Sequence, residues 1–407
     1  MMTRPAAEPD TPSAFAATSE SLLEACRVLV AEQVEGQVEA WDRDDVLPEV
    51  LLSRLSEIGL PGALVPPEYG GRGVSVSDLV DVWRTLARGW ISLTGAVNTT
   101  HMAAALLLRH GTEPQRRRWL PSIAAGETWA SFSITEPGAG SDLSRLEAWV
   151  EPSDGGLVIT GQKRWIAGGL SFPLAFMLAR VKGETRPSCI VLPAEGRGTE
   201  TWSVESLDKL GYRGVESAAW RFNRHFVPGA EILGGEEGHG RGAHQMIDVL
   251  SIGRVNVACR ALGIVDRTIG CALAESTGRG IGRGVLGDHS HTQLRVGELR
   301  CRQLVIEAMI RRAAAAVDAD DPLAPELAVA AKVIASEDAV RAVESASRLA
   351  ASRSYIGTSE LARLRRDAPQ TQIGEGANDA LLIASGKSMI KQHVRATTSL
   401  VPSPLTA

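Results

Sequence analysis

The 407 residues carry 43 Lys and Arg against 48 Asp and Glu, a formal net charge of -5, and 44% of them are apolar. This is the balance of an ordinary globular protein long enough for two or three cooperating domains, and it excludes the disordered and fibrous classes. Acidic and basic residues interleave along the chain, so no electrostatic footprint for nucleic acid is present.

The short basic runs Arg116-Arg117-Arg118 and Arg363-Leu364-Arg365-Arg366 read as solvated helix faces. Residues 1–17, rich in Pro, Ala and Thr, read as a flexible tail rather than a signal peptide, and no membrane span of roughly 20 apolar residues is expected. The cysteines, Cys26, Cys189, Cys259, Cys271 and Cys301, are far apart with no Cys-x-x-Cys pair, which argues for a reducing cytoplasm and against a zinc knuckle or disulfide framework. Only His289 and His291 cluster among the histidines, so no metal is expected.

From residue 18 to 126 the pattern is helical: Leu22, Leu23, Cys26, Leu29, Val30 and Val34 recur at three- and four-residue intervals. Further helices are predicted at Leu47–Ile58, Ser75–Arg88, Leu93–Arg109 and Pro114–Ala125. Residues 127–232 change to β-forming segments, with strands predicted at Thr128–Ile134, Leu157–Ile166, Leu174–Val181 and Ala218–Val227. Over 240–395 helical patterns return at His244–Ser276, Thr292–Val317, Pro325–Ser354 and Asn378–Val394, suggesting a four-helix bundle, with 396–407 as a second tail. The glycine-rich stretches 234–242 and 278–284 are read as loops between helices, because neither has the setting of a dinucleotide fingerprint.

The segment Phe132-Ser133-Ile134-Thr135-Glu136-Pro137-Gly138-Ala139-Gly140-Ser141-Asp142 is a strand entering a glycine-rich turn, whose exposed amides and hydroxyls suit an electron-rich ring or an oxyanion. About twenty residues on, Gly161-Gln162-Lys163-Arg164-Trp165-Ile166-Ala167-Gly168-Gly169 sets a large aromatic at a strand end. Taken alone, Trp165 is more often a core residue, and Glu375 in Gly374-Glu375-Gly376 a surface carboxylate.

Together, and in order, these segments resemble the acyl-CoA dehydrogenase family. So do Leu210-Gly211-Tyr212-Arg213-Gly214, Ser251-Ile252-Gly253-Arg254, and Arg366-Asp367-Ala368 followed by Ile373 to Asn378. The resemblance implies an α+β fold: an N-terminal helical domain, a middle β-barrel and a C-terminal four-helix bundle. It implies FAD, with Phe132, Ile134, Thr135, Ser141, Trp165, Ile166, Ala167, Gly376 and Asn378 around the cofactor. Arg279 would reach a partner subunit's pyrophosphate, with His289 and Ser290 as a further cofactor-contacting pair. Ser141, Ser251, Arg254 and Gly374 would meet substrate.

Glu375 would be the base that takes the α-proton of an acyl thioester, on CoA or an acyl-carrier protein, while hydride leaves the β-carbon for the flavin. An electron-acceptor protein or oxygen would then reoxidise it. The resemblance also implies a homo-oligomer, usually a tetramer and less often a dimer.

The sequence departs from the family pattern at Ala167, where a hydroxyl residue is usual, and at Leu349 to Ser354, where a glycine-rich turn is usual. Ser251, Gly282 and Gly374 also differ. These changes keep open a flavin monooxygenase or other oxidative tailoring enzyme, and a non-catalytic flavin-binding protein, as alternatives to the dehydrogenase.

Overall fold

Two capping boxes mark helix starts in the N-terminal third. In the computed structural model, which describes residues 19–194 and 196–398, the Asp78 amide donates to Ser75 and the Ser75 amide donates back to Asp78, each at 3.1 Å. Thr112 and Gln115 repeat the arrangement. Each box satisfies two of the amides that a helix start leaves unpaired.

The helices here are α1 (Ser19–Leu29), α2 (Val38–Asp44), α3 (Glu49–Glu57), α4 (Val76–Gly89), α5 (Ile91–His110) and α6 (Glu113–Ala124). Apart from α2, seven residues long, each was anticipated to within a few residues. Contrary to expectation, α5 is long and apolar enough to cross a membrane. Its most apolar window is 94% buried inside the protein, so it serves as a core helix. The expected tail at 1–17 lies outside the described residues; of the tail expected at 396–407, residues 396–398 are helical and the rest lies outside the described residues.

The middle of the chain forms β1 (Ala130–Ser133), β2 (Trp149–Ser153), β3 (Gly156–Ala167), β4 (Leu174–Val181), β5 (Pro187–Pro193), β6 (Trp202–Ser206), β7 (Ser217–Pro228) and β8 (Glu231–Ile232). The hydrogen-bonded order is β6-β7-β3-β2-β4-β5-β8, with β1 parallel to β4. The path is open rather than closed, and the barrel-like sheet encloses its own core of Val150, Ile159, Ile166, Met177, Ile190, Trp202 and Trp220. The strands absent from the sequence reading are those with proline inside or at both ends (β2, β5), the short β6 and the two-residue β8, where alternation is too brief to register.

The last part of the chain comprises α7 (Gly242–Gly278), a hairpin of β9 (Gly280–Ile281) and β10 (Gly284–Val285), α8 (Ser290–Asp318), α9 (Ala324–Ala350), α10 (Glu360–Ile373) and α11 (Asn378–Thr398). Three expectations are corrected here. The stretch 278–284 is a hairpin, and 234–242 joins strand β8 to α7. The fourth bundle helix is α10, which packs on α7 and α9, whereas α11 leaves Leu382, Ile383, Met389 and Ile390 exposed. Its arginine run is not a solvated face: Arg363 is buried beside Asp367, and Arg366 pairs with buried Asp42.

The helical parts are fastened together by charge. Arg84 of α4 forks onto Asp266 of α7 at 2.7 and 3.0 Å, and Asp318 of α8 accepts the first amides of α4 at 2.7 and 2.9 Å. Such bidentate, part-buried pairs fix orientation as well as adding energy. Gln115 of α6 bonds the Ile232 carbonyl and the Gly234 amide, tying the sheet's end to the first helices.

Candidate active site

Residues Gly95, Asn98 and Met102 fall on one stripe of α5, and Gly253, Asn256 and Arg260 on one stripe of α7, by helical spacing. Against these stripes lies Glu375, from the turn joining α10 to α11. A Cβ on Gly253 would stand 2.5 Å from Met102 Sδ and 3.0 Å from Glu375 Cδ, so only glycine lets the carboxyl rest on α7. Asn98 Nδ2 donates to Glu375 Oε1 at 2.8 Å. Arg254 Nε reaches the Glu375 carbonyl at 3.4 Å.

Glu375 has φ +52°, a left-handed backbone that costs a non-glycine residue about 1–2 kcal/mol. Lys332 of α9 fastens the turn around it. Its buried ammonium donates to the carbonyls of Gln372 and Gly376 at 2.9 and 2.7 Å and to Asn378 Oδ1 at 2.7 Å. Burial lowers the Lys332 pKa to about 8. Burial also pushes the Glu375 carboxyl above its usual range, against the opposing pull of Arg260, Arg254, the Asn98 bond and Lys332. Desolvation dominates because it destabilises the anion more than these neighbours restore it.

A second cluster forms where β1 ends beside β3. The β3 ladder slips between Lys163 and Ile166, and in that bulge Trp165 takes φ +62° and stands 58% exposed, with the Arg164 guanidinium 5.3 Å over its ring. The Arg164 amide donates to the Thr135 carbonyl at 2.8 Å, bringing the turn after β1 alongside. Beneath, Lys163 pairs with Glu136 at 2.7 Å and bonds the Ile134 carbonyl at 3.1 Å, fully out of water. Trp83, Trp90, Trp202 and Trp220 are all buried, so Trp165 is set apart as a ledge rather than a core residue.

Phe132, Ile134 and Thr135 are partly exposed along this ledge and Ser141 is exposed. Ile166 points its side chain into the sheet core, leaving its main chain alone on the outer side, and Ala167 is half-buried. Ser251 and Arg254 are buried one turn apart on α7, and Gly374 ends α10. The Asn378 side chain is buried and bonded to Lys332, Ser336 and Glu337, so it anchors the Glu375 turn. Gly376 has φ +101° and gives its carbonyl to Lys332. Arg279 donates to the Leu349 carbonyl at 3.1 Å at the base of the exposed β9–β10 hairpin, with His289 and Ser290 exposed at the start of α8. The altered turn after α9 places Ala351 at φ +51°, a glycine-like conformation held by alanine.

Asn98, Arg260 and Lys332 escaped the sequence reading. Each is a polar residue inside an apolar helical pattern, and that misfit is the signal available for them: Asn98-Thr99-Thr100-His101 in α5, Arg260 after Cys259, and Lys332 amid Ala328 to Val333. Among the described residues, no group of three or more His, Cys, Asp or Glu is placed to hold a metal.

Three family models match this chain: the N-terminal domain of acyl-CoA dehydrogenase over residues 16–127, its middle domain over 131–225 and its C-terminal domain over 240–390. The chain belongs to the acyl-CoA dehydrogenase family. A curated relative, mitochondrial isobutyryl-CoA dehydrogenase of Dictyostelium discoideum, is 26% identical over 363 residues, 88% of this chain and 86% of that one. Among solved structures, butyryl-CoA dehydrogenase from Megasphaera elsdenii superposes with a TM-score of 0.85 at 23% identity, over 91% of this chain and 98% of that one. The prolyl acyl carrier protein oxidase AnaB superposes with a TM-score of 0.83 at 21% identity, over 91% and 98%. As in the rest of the acyl-CoA dehydrogenase family, the cofactor is FAD, and the exposed Trp165 ledge beside Thr135 is the kind of surface a flat isoalloxazine ring needs.

Proposed function

We propose that this enzyme carries out FAD-dependent α,β-dehydrogenation of an acyl thioester, borne by CoA or by an acyl-carrier protein. The observation that carries the reading is the enclosed Glu375 carboxyl, with raised pKa, seated on Gly253 and oriented by Asn98. A carboxylate so placed takes a proton from carbon once the neighbouring carbonyl oxygen is held by donors, and its raised pKa brings its basicity toward the working range.

Trp165, Thr135, Phe132 and Ser141 hold the cofactor in this reading. FAD, when bound, supplies the acceptor for the hydride that leaves the β-carbon. Ser251 and Arg254 line the substrate side, and Asn98 keeps the carboxylate aimed. Arg279 and the exposed β9–β10 hairpin face a neighbouring subunit of a homo-oligomer, and the exposed apolar residues of α11 fit the same assembly. Reoxidation falls to an electron-transfer protein or to oxygen. Ala167, which offers no hydroxyl at the end of β3 just past the Trp165 bulge, favours a monooxygenase as the second reading.

Anaerobic mixing of the FAD-loaded enzyme with a panel of acyl-CoA and acyl-carrier-protein thioesters tests this. Bleaching of the flavin by the parent and its loss, by on the order of 10²–10⁴ in rate, in Glu375→Gln is the expected result. Equal bleaching in both would place the base elsewhere, and an oxygen-derived atom in the product of a parallel incubation in air with NADH would transfer the assignment to the monooxygenase.

A further inference from the structure

The surroundings of Glu375 hold more positive charge than their structure uses. Arg254, Arg260 and Lys332 are all buried and all act on the Glu375 carboxyl. None of them makes an ion pair with a carboxylate among the described residues. Lys332 bonds two carbonyls and an amide oxygen, and Arg254 a carbonyl. Nearby Glu337 is occupied by the side-chain amides of Gln372 and Asn378. Buried cations are ordinarily paired, since a lone one loses hydration with nothing in return.

Arg260 is the least explained of the three. It is 3% exposed and its bonds go to neutral groups, Nε to Asn256 Oδ1 and Nη1 to Tyr212 Oη, both at 2.9 Å. Its guanidinium lies 5.2 Å from the Tyr212 ring centroid, and Nη2 has no hydrogen-bond partner among the described residues. Room for Tyr212 exists because residue 95 is glycine: a Cβ there would stand 1.8 Å from the Tyr212 oxygen. Three polar atoms of α5 and α7 are buried without partners: Asn256 Nδ2, which belongs to the residue bonded to Arg260, Asn98 Oδ1, which belongs to the residue bonded to Glu375, and Thr99 Oγ1. Buried polar atoms without partners are costly, and a polar group of a ligand placed among them would satisfy them.

The position of the cluster sets the size of what it could hold. Helical side chains lean toward the N-terminus, and Arg260 reaches back to Asn256, one turn beyond Gly253, on which the Glu375 carboxyl rests. One turn is about 5 Å, a span that an acyl chain of about four or five carbons covers. We propose that the thioester taken by this site carries a second, anionic carboxylate at the far end of a short acyl chain, received by Arg260 with Asn256 and Tyr212. This deepens the dehydrogenase reading and rests on it for the placement of the thioester.

The test compares glutaryl-pantetheine with butyryl-pantetheine, thioesters on the portion that CoA and carrier proteins share. Binding is measured by calorimetry on FAD-loaded Glu375→Gln enzyme, so that no turnover intervenes. The dicarboxylic thioester is expected to bind at least tenfold tighter. Adding Arg260→Gln brings the ratio toward one, and Arg260→Lys keeps part of it. Equal or weaker binding of the glutaryl compound, or selectivity that survives Arg260→Gln, overturns the proposal. Should Arg260→Gln fail to fold, Asn256→Leu replaces it, and the selectivity of the enzyme with Arg260 intact decides in any event. Flavin bleaching of the parent by the same pair is a separate readout. Selective glutaryl binding without bleaching would support the carboxylate site while removing the dehydrogenase reading.

Discussion

Lys332 Nζ donates to the carbonyl of Gly376, the residue after the candidate base, at 2.7 Å from a helix that is otherwise Ala- and Val-rich. Together with its bonds to Gln372 and Asn378, this makes one buried ammonium the clasp of the turn that presents Glu375 in a left-handed conformation. Lys332→Met should therefore slow flavin reduction by about 10–10², since small displacements of a reacting group cost rates of that order. The same variant removes a cation that stabilises the Glu375 anion, so the acid limb of the pH profile should move to higher pH. Stopped-flow reduction across pH separates this from mere loss of folded protein, which would lower amplitude without moving the limb.

The parent enzyme has its own pH signature. As the proposed base, Glu375 must be ionised, and burial raises its pKa above the usual value of 4.5. The reduction rate should rise with pH through that raised pKa and fall about tenfold per unit below it. A rate that is flat down to pH 4.5 would contradict the burial argument.

The same shift has a cost in stability. Between the unfolded pKa and the raised folded one, the folded state holds a proton that the unfolded state has released, so stability falls as pH rises across this window. Glu375→Gln should accordingly melt higher than the parent at pH 8, and the difference should close near pH 4.5. Thermal denaturation at both pH values checks the sign.

Trp165 should behave as a binding surface. Being 58% exposed, its removal takes little from the core, so Trp165→Ala should leave the melting of the cofactor-free protein nearly unchanged while weakening FAD retention. The opposite pattern, lost stability with FAD affinity intact, would return Trp165 to a structural role.

Gly95→Ala should reduce stability by about 1–3 kcal/mol, because the new methyl would occupy the space of the Tyr212 hydroxyl and force it off Arg260. Calorimetric melting measures the loss. A neutral outcome would mean that Tyr212 has a second seat.

The legibility of this molecule in its sequence divides along physical lines. Strand β4 and helices α4 and α5 were readable because their apolar patterns are long and unbroken. Helix α10 was missed as a bundle helix because Arg363 to Arg366 read as a solvated face until Asp42 and Asp367 are seen opposite them. Glu375 and Trp165 stood out through their place in ordered motifs. Asn98, Arg260 and Lys332 did not, since a polar residue on an apolar helix declares only that it needs a partner. The partner lies elsewhere in the chain.

That separation bears on when the protein becomes able to react. Asn98 and Glu375, joined by a single hydrogen bond, are 277 residues apart in the chain. At ribosomal speeds of about 5–20 residues per second, roughly 15 to 55 s pass between the synthesis of one and of the other. A nascent chain can fold α5 and display Trp165 on its ledge during that interval, yet it has no aimed carboxylate. With Glu375 as the proposed base, competence arrives only with the closing turn, so truncated products of translation would lack the chemistry of the finished enzyme.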